Sequence, residues 1–450
     1  MNRSSMTRSP KLSWQVPLVG SAFTLINCIG WSIANFDIRS EVQWIGLGAL
    51  MACALVGGCL TALAFRRLRV NTAKKAVHHA VGGLVFNLAL VSVTAVGIGA
   101  AYAHDRSATH SDTRTAEDFE IPVAYGSKLP IWIDTDPACG QDATHDPDDC
   151  WALLAALRSP GVAVRGVSTV FGNLQGNDTY RIAREVIKRF STETHSTEEP
   201  PPIFAGAFAP GASTWEPIRA SEELAARLRQ QKLTILALGP LTNIASVIAH
   251  HADVVGNIER IIMVGGKPPG RLLHPGTQWW FHFRDLNVSK DTRAAEVVLQ
   301  SGVPLVLIPF EVAEKILITQ ADLDRLAAGD KATRWLSAAS GPWASFWRNM
   351  LHREGFHPFD ALAAMYVTAP GAFRCEVRTA RMGFSVFLEP LGMGRDLEIA
   401  HDITGTQIYY CFDLKRQVKA QLVDRLMGRK ASVPPAPAWT TSLRRACFRS

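Results

Sequence analysis

The chain has 450 residues, 47% of them hydrophobic, and a formal net charge of +7. This length allows two or three domains, or one large α/β domain with an appendage. No basic helix or aromatic-basic interleaving accompanies the charge, which argues against a nucleic-acid partner; the eight cysteines form no CxxC pair, which argues against a zinc site.

Three long apolar runs come first: Trp14 to Phe36, Trp44 to Phe65 and Ala80 to Ala103, all free of Lys, Arg, Asp and Glu. Each reaches the ~20 residues that a helix needs to cross a bilayer. Three buried helices of a soluble bundle would show a polar face, and a cleavable signal peptide would be one shorter run with a small-residue cleavage site. The pattern therefore predicts three transmembrane helices over residues 1–103. Basic residues set their direction. Arg3, Arg8 and Lys11 precede the first run and Arg66, Arg67, Arg69, Lys74 and Lys75 follow the second, whereas the first connection holds only Arg39. Cytoplasmic loops collect Lys and Arg, so three crossings place the rest of the chain outside the cytoplasm. The expectation is a multi-pass protein of a cell's inner membrane whose soluble domain is extracytoplasmic.

Residues 104–127 are polar, mixed in charge and without apolar periodicity, and read as a linker. From Lys128 the texture changes. Leu129 to Ile133, Val162 to Val170, Leu233 to Leu238, Ile258 to Val264 and Pro304 to Ile308 are short apolar runs of the buried-strand type. Helical spacing falls between them, over Cys150 to Leu157, Asp178 to Phe190, Leu241 to His250 and Thr292 to Gln300. Alternating strands and helices predict an α/β fold with a mostly parallel, Rossmann-like sheet flanked by helices. Met382 to Leu388 and Thr406 to Phe412 read as further strands, and Lys415 to Met427 as a helix. The Pro-, Ser- and Arg-rich segment 431–450 reads as a mobile tail.

Ligands in open α/β sheets bind beyond the carboxyl ends of the strands. Asp134, Asp136, Asp148 and Asp149 all lie between the first strand and the first helix. Helix capping accounts for one of the last two, but four carboxylates at one strand end repel one another unless a cation or protons neutralise them. Oxygen ligands without thiol or imidazole select calcium or magnesium, and the spacing is not that of an EF-hand. Calcium with open positions can hold a vicinal diol and a water together, which suits a ribose.

The segment Ile131-Trp-Ile-Asp-Thr-Asp-Pro137, followed by Asp148-Asp149-Cys-Trp-Ala-Leu-Leu-Ala, resembles the signature of the inosine/uridine-preferring nucleoside hydrolases. Val167-Ser-Thr-Val-Phe-Gly-Asn173, Gly239-Pro-Leu-Thr-Asn243, Met263-Val-Gly-Gly266, Asp285-Leu-Asn287 with Asp291, and Phe359-Asp360-Ala-Leu-Ala look like further motifs of that family, in its order. The resemblance spans about residues 128–430, the expected catalytic domain. It implies that Asp136, Asp149, the backbone carbonyl of Thr242 and Asp360 hold Ca²⁺. It further implies that Asp148, Asn173 and Asn287 bind ribose hydroxyls, and that Asp285 stands where a glutamate contacts the 5′ hydroxyl. Asp136 is the implied catalytic base: it takes the proton of a water that attacks C1′ as the bond to the base loosens, releasing ribose and base from a small-molecule nucleoside. A homo-oligomer is left open.

Departures from the family pattern qualify this. Ten residues, Ala138 to Pro147, stand where the family has about two, and they bring Asp142, His145 and Asp146. Looping outward would leave the ligand geometry intact; otherwise the insertion would carry Asp148 and Asp149 off the site. Cys139 and Cys150 bracket it, and a disulfide between them would contribute on the order of 3 kcal/mol. Many members have a His where this chain has Phe359, which leaves His357, His274 and His282 as candidate acids and Trp279, Trp280 and Phe281 as a stacking surface. Two other readings compete. One is a membrane sensor that binds ribose or nucleoside without turnover; the other takes Asp134-Thr-Asp136 as a phosphotransfer motif, against which stand Ala138 and the lack of a later GDxxD element.

Overall fold

The computed structural model describes residues 128–429, apart from 193–198, 212–216, 270, 277–283, 390–391, 402 and 416. The expected membrane segments, linker and tail, and with them Trp279, Trp280, Phe281 and His282, lie outside the described residues. No helix among the described residues is long and apolar enough to cross a membrane. The chain divides into two compact units; residues 112–382 and 396–450 form the one that holds every site residue below, and residues 1–111 with 383–395 form the other.

Strands β1 (Leu129–Thr135), β2 (Val162–Thr169), β3 (Ile203–Ala205), β4 (Leu233–Ala237), β5 (Ile258–Val264) and β6 (Leu305–Ile308) lie side by side in the order β6-β5-β4-β1-β2-β3, and each adjacent pair is parallel. Helices α1 (Asp148–Leu157), α2 (Gly176–Ser191), α3 (Arg219–Gln230) and α4 (Thr242–His250) connect the first five of them, as a parallel sheet requires. Short α5 (Leu286–Ser289) and then α6 (Thr292–Gln300) lead into β6. A lower stretch follows: α7 (Phe310–Ala313), the two-stranded pair β7 (Ile318–Thr319) and β8 (Gly355–Phe356), α8 (Gln320–Ala327), α9 (Lys331–Met350) and α10 (Phe359–Thr368). Strands β9 (Phe373–Glu389), β10 (Gly392–Ala400) and β11 (Thr406–Leu414) complete a nine-stranded sheet, with β11 parallel to β6 and antiparallel to β9, before α11 (Val418–Leu426).

Both faces of the sheet are covered, which is why its strands are apolar throughout rather than alternating. Ile131 and Ile133 of β1 point into a core with Trp151, Leu154, Ile187 and Leu362, while Trp132 between them points into a second core with Leu228, Ile244 and Val298. α2 shows how sequence sets this: Ile182, Ala183, Val186, Ile187 and Phe190 recur at helical spacing and are its buried stripe. α1 is buried along most of its length, from Asp148 to Ala156, so its two acidic residues enter the protein with it.

Candidate metal and ribose site

The strand end of β1 is stitched on both sides. The Thr135 carbonyl accepts from the Val170 N–H at 3.0 Å and the Asp134 carbonyl from the Leu238 N–H at 2.8 Å, so the chain leaves the sheet at Asp136 in a fixed direction. Asp134 points away from the cleft into polar partners: its Oδ1 accepts from the Ser168 hydroxyl and from Asn243 Nδ2. Asn243 also donates to the Thr169 carbonyl at 3.0 Å and accepts from the Ala207 N–H at 2.9 Å, tying the ends of three strands together. Asp134 is therefore a scaffold residue, and burial pushes its carboxyl up to about 7.

Asp136, Asp148, Asp149 and Asp360 are knit together by backbone donors. The Asp136 N–H donates to Asp149 Oδ1 at 3.1 Å, and the Thr135 hydroxyl donates to the same oxygen. Asn173 contributes twice, its N–H to Asp136 Oδ2 at 2.7 Å and its Nδ2 to Asp149 Oδ2 at 3.3 Å. The Asp149 N–H donates to Asp148 Oδ1 at 3.0 Å, and the Asp360 N–H, at the start of α10, to Asp148 Oδ2 at 3.1 Å. Asp148, Asp149 and Asp360 each offer an oxygen within 4.8 Å of the other two.

Glycine makes room for Asp136. A Cβ on Gly172 would fall on its Oδ2, and one on Gly239 would meet its Oδ1 at 2.9 Å, so the family-like Phe171-Gly-Asn173 and Gly239-Pro-Leu segments form a cradle for one carboxylate. Its Oδ1 is buried without a hydrogen-bond partner among the described residues. A buried acceptor left unpaired costs about 1–3 kcal/mol, more if charged. Burial drives every acid of the group upward, Asp148 to about 6 against the pull of its hydrogen bonds; neighbouring carboxylates add to the rise for Asp149, to about 8, and for Asp136 and Asp360, well above the carboxylate range. Four acids that resist ionising together, with an orphaned oxygen among them, fit a hard divalent cation.

Thr242, the first residue of α4, is buried, and its hydroxyl donates to Asp291 Oδ2 at 2.7 Å. Asp291 caps α6 through the Ala294 N–H, which joins the Gly239-Pro-Leu-Thr segment to the one after β5. Asp285 and Asn287 sit at the carboxyl end of β5. Asp285 accepts from the Gly266 N–H at 2.6 Å and the Val288 N–H at 3.2 Å, and burial pushes it up to about 6. Asn287 Nδ2 donates to the Val264 carbonyl at 3.2 Å, and Asn173 and Asn287 remain half-buried. Gly266 has φ +82°, a left-handed conformation that favours glycine and turns its N–H toward Asp285.

The insertion does not carry Asp148 and Asp149 off the site. Cys139 and Cys150 are bonded, with their Cα atoms 6.3 Å apart, and Asp146 accepts from the Asp148 N–H at 3.0 Å. The sequence shows Asp146 in the insertion but not its contact, and it does not show the second disulfide, Cys375–Cys411; the register that sets Cys375 opposite Cys411 exists only once β9 and β11 pair. His357 is buried, its Nδ1 bonded to the Ile316 carbonyl at 2.7 Å and its ring edge-on to Trp347, Phe310 and Phe359; burial pushes it down to about 4. A neutral, enclosed imidazole of that kind is a core residue. Phe359, in place of the family's His, stacks on Phe310 at 5.3 Å.

An open, mostly parallel sheet thus carries an acidic, cation-fitting cleft beyond its strand ends, where α/β folds bind their ligands. The sequence profile of the inosine-uridine preferring nucleoside hydrolases matches residues 131–404, and the chain belongs to that family. A pyrimidine-specific ribonucleoside hydrolase, RihA, of Salmonella agona is 31% identical over 225 residues, 44% of this chain and 66% of that protein. RihA of Klebsiella pneumoniae is 31% identical over 222 residues, 44% and 65% of the two chains. The chain thus spans just under two thirds of the length of these curated relatives. Among solved structures, a plant nucleoside hydrolase has the same fold at 19% identity and TM-score 0.55, over 66% of this chain and 99% of that one. A purine-preferring ribonucleoside hydrolase of Gardnerella vaginalis matches at 17% and 0.53, over 66% and 98%.

Proposed function

We propose that this chain hydrolyses the N-glycosidic bond of ribonucleosides in a calcium-dependent reaction that yields ribose and free base. The observation that carries this is the unpartnered, glycine-cradled Asp136 Oδ1 beside the Asp148, Asp149 and Asp360 oxygens. Asp136, Asp149 and Asp360, with the Thr242 carbonyl, would hold the cation, whose bound form lowers the pKa of a water and engages vicinal hydroxyls. Asp136 takes the proton of the attacking water through Oδ1, while the Asn173 N–H keeps Oδ2 oriented. Asp148, Asn173 and Asn287 receive the ribose hydroxyls, and Asp285 the 5′ hydroxyl. Positive charge developing at C1′ as the base departs is stabilised by the surrounding carboxylates.

The domain works outside the cytoplasm, anchored by the three apolar runs within residues 1–103. Two disulfides inside the hydrolase domain support this, since such bonds persist in oxidising compartments. Incubating the full chain in detergent with purine and pyrimidine ribonucleosides, with calcium or with chelator, tests the chemistry. Calcium-dependent release of ribose is the expected result; calcium-dependent ribose binding without release would instead favour a sensor. External protease that cleaves the domain from intact cells checks the orientation.

A further inference from the structure

The ten-residue insertion has two anchors. The Cys139–Cys150 bond closes it at the base, and Gly140, with φ +75°, brings it beside Trp335 and Ala339 of α9. Its tip is self-contained: Asp142 Oδ1 accepts from the Thr144 N–H at 2.8 Å, the Thr144 hydroxyl at 2.7 Å, and pairs with His145 Nδ1 at 2.8 Å. Those bonds leave Asp146 as the insertion's contact with the site. Its Oδ1 accepts from the Asp148 N–H at 3.0 Å, at a helix start where Pro147, the residue in the capping position, makes no side-chain cap. Asp148 in turn accepts from the Asp360 and Asp149 N–H groups, so its two oxygens bridge α1 and α10.

We propose that Asp146 is a positioning residue: held by the disulfide-closed insertion, its carboxyl group fixes the backbone of Asp148 and thereby aims the Asp148 side chain in the site. A bond at the insertion's base and a cap at its end together hold the start of α1. The inference rests on the nucleoside hydrolase reading for Asp148's role, but its structural claim does not depend on turnover. It concerns where a hydrogen bond holds a helix start.

The test compares Asp146→Ala with Asp146→Asn in the full chain, reading KM and kcat for ribose release and, separately, calcium affinity by titration calorimetry. Substitutions of groups that orient ligands cost roughly 10- to 100-fold. Asp146→Ala is expected to raise KM and weaken calcium binding by about tenfold while lowering kcat less. Asp146→Asn keeps an oxygen for the Asp148 N–H without the charge, and is expected to restore both to within about threefold of the parent protein. Equal losses in both variants would make Asp146 a matter of charge alone, and unchanged values in Asp146→Ala would make it a bystander; either overturns the proposal. If Asp146→Ala does not fold, Asp146→Glu, with its oxygen displaced by one methylene, takes its place with the same expected and overturning results. Parent protein that binds calcium but releases no ribose refutes the hydrolase reading, and the calcium arm still decides the role of Asp146.

Discussion

Two buried titratable neighbourhoods meet near the start of α10, and they solve opposite problems. Around Asp360 and Asp148 the acids are drawn in with α1 and α10, hydrogen-bonded to one another's backbones, and left with one oxygen, Asp136 Oδ1, that nothing among the described residues satisfies. Three residues before Asp360, His357 is equally enclosed yet complete, with a carbonyl for its Nδ1 and aromatic rings around it. The first arrangement calls for a cation or protons to offset its charge; the second is satisfied as it stands. Burial alone therefore does not mark a functional group. What marks it is burial without a partner, in company that makes the charge costly.

The sharpest way to break the contrast is to exchange one titratable residue on each side. Asp136→Asn removes the proposed base and one proposed cation ligand without changing shape, and is expected to lower kcat by on the order of a thousandfold or more in a ribose-release assay. His357→Asn keeps a donor for the Ile316 carbonyl and lies outside the chemistry, so kcat should stay within about threefold. A comparable collapse in His357→Asn would show that the aromatic enclosure is part of the catalytic apparatus.

Removing the cation should unsettle only the first neighbourhood. A ligand at 100 to 1,000 times its Kd adds roughly 3–4 kcal/mol. For a domain of this size, chelation should then lower Tm by on the order of 5–10 °C by calorimetry. Asp136→Asn should respond less to chelator, and His357→Asn as much as the parent.

Much of this was legible in the sequence because the strand-end motifs report local needs. Asp134-Thr-Asp136-Pro, Phe171-Gly-Asn173 and Gly239-Pro-Leu-Thr-Asn243 each follow an apolar run, and each proves to sit at a carboxyl end of the sheet. What stayed hidden depends on contacts distant in sequence. β3 is only three residues long and follows three consecutive prolines, Pro200 to Pro202; it is held because the Pro202 carbonyl accepts from the Val167 N–H. α9 runs through Gly341-Pro342, which reads as a breaker, because Leu336, Trp343, Ala344 and Trp347 keep one buried stripe across it. β9 begins nine residues before the expected Met382, at Phe373, because its early half pairs with β11. Asp146 looked like one more acid in a polar loop until the fold set it against the Asp148 N–H.

Protonation separates the two neighbourhoods in a smaller effect. His357 is held down at about 4 from its ordinary value near 6.5, so the folded protein binds fewer protons there than the unfolded chain. Its contribution to stability is complete above the unfolded value and is lost as pH falls from about 6.5 through 4. It is worth on the order of 2–3 kcal/mol. Urea midpoints measured between pH 7 and 4 should fall more steeply for the parent than for His357→Asn, whatever the variant's stability at pH 7. Parallel slopes would mean that the ring protonates in place.

The smallest effect is the closest comparison. Asp134 and Asp136 are two residues apart on the end of one strand and both are buried, yet Asp134 Oδ1 has Ser168 and Asn243 where Asp136 Oδ1 has no partner among the described residues. Asp134→Asn keeps an oxygen for both donors and places an amide where Oδ2 has no partner. Its expected cost is about 1 kcal/mol of stability, with kcat changed only a few-fold. The same substitution two residues later is the largest effect in the series. If Asp134→Asn also abolished turnover while remaining folded, the partition between scaffold and chemistry would have to move one strand register inward, and the Ser168-Asn243 network would join the site it now supports.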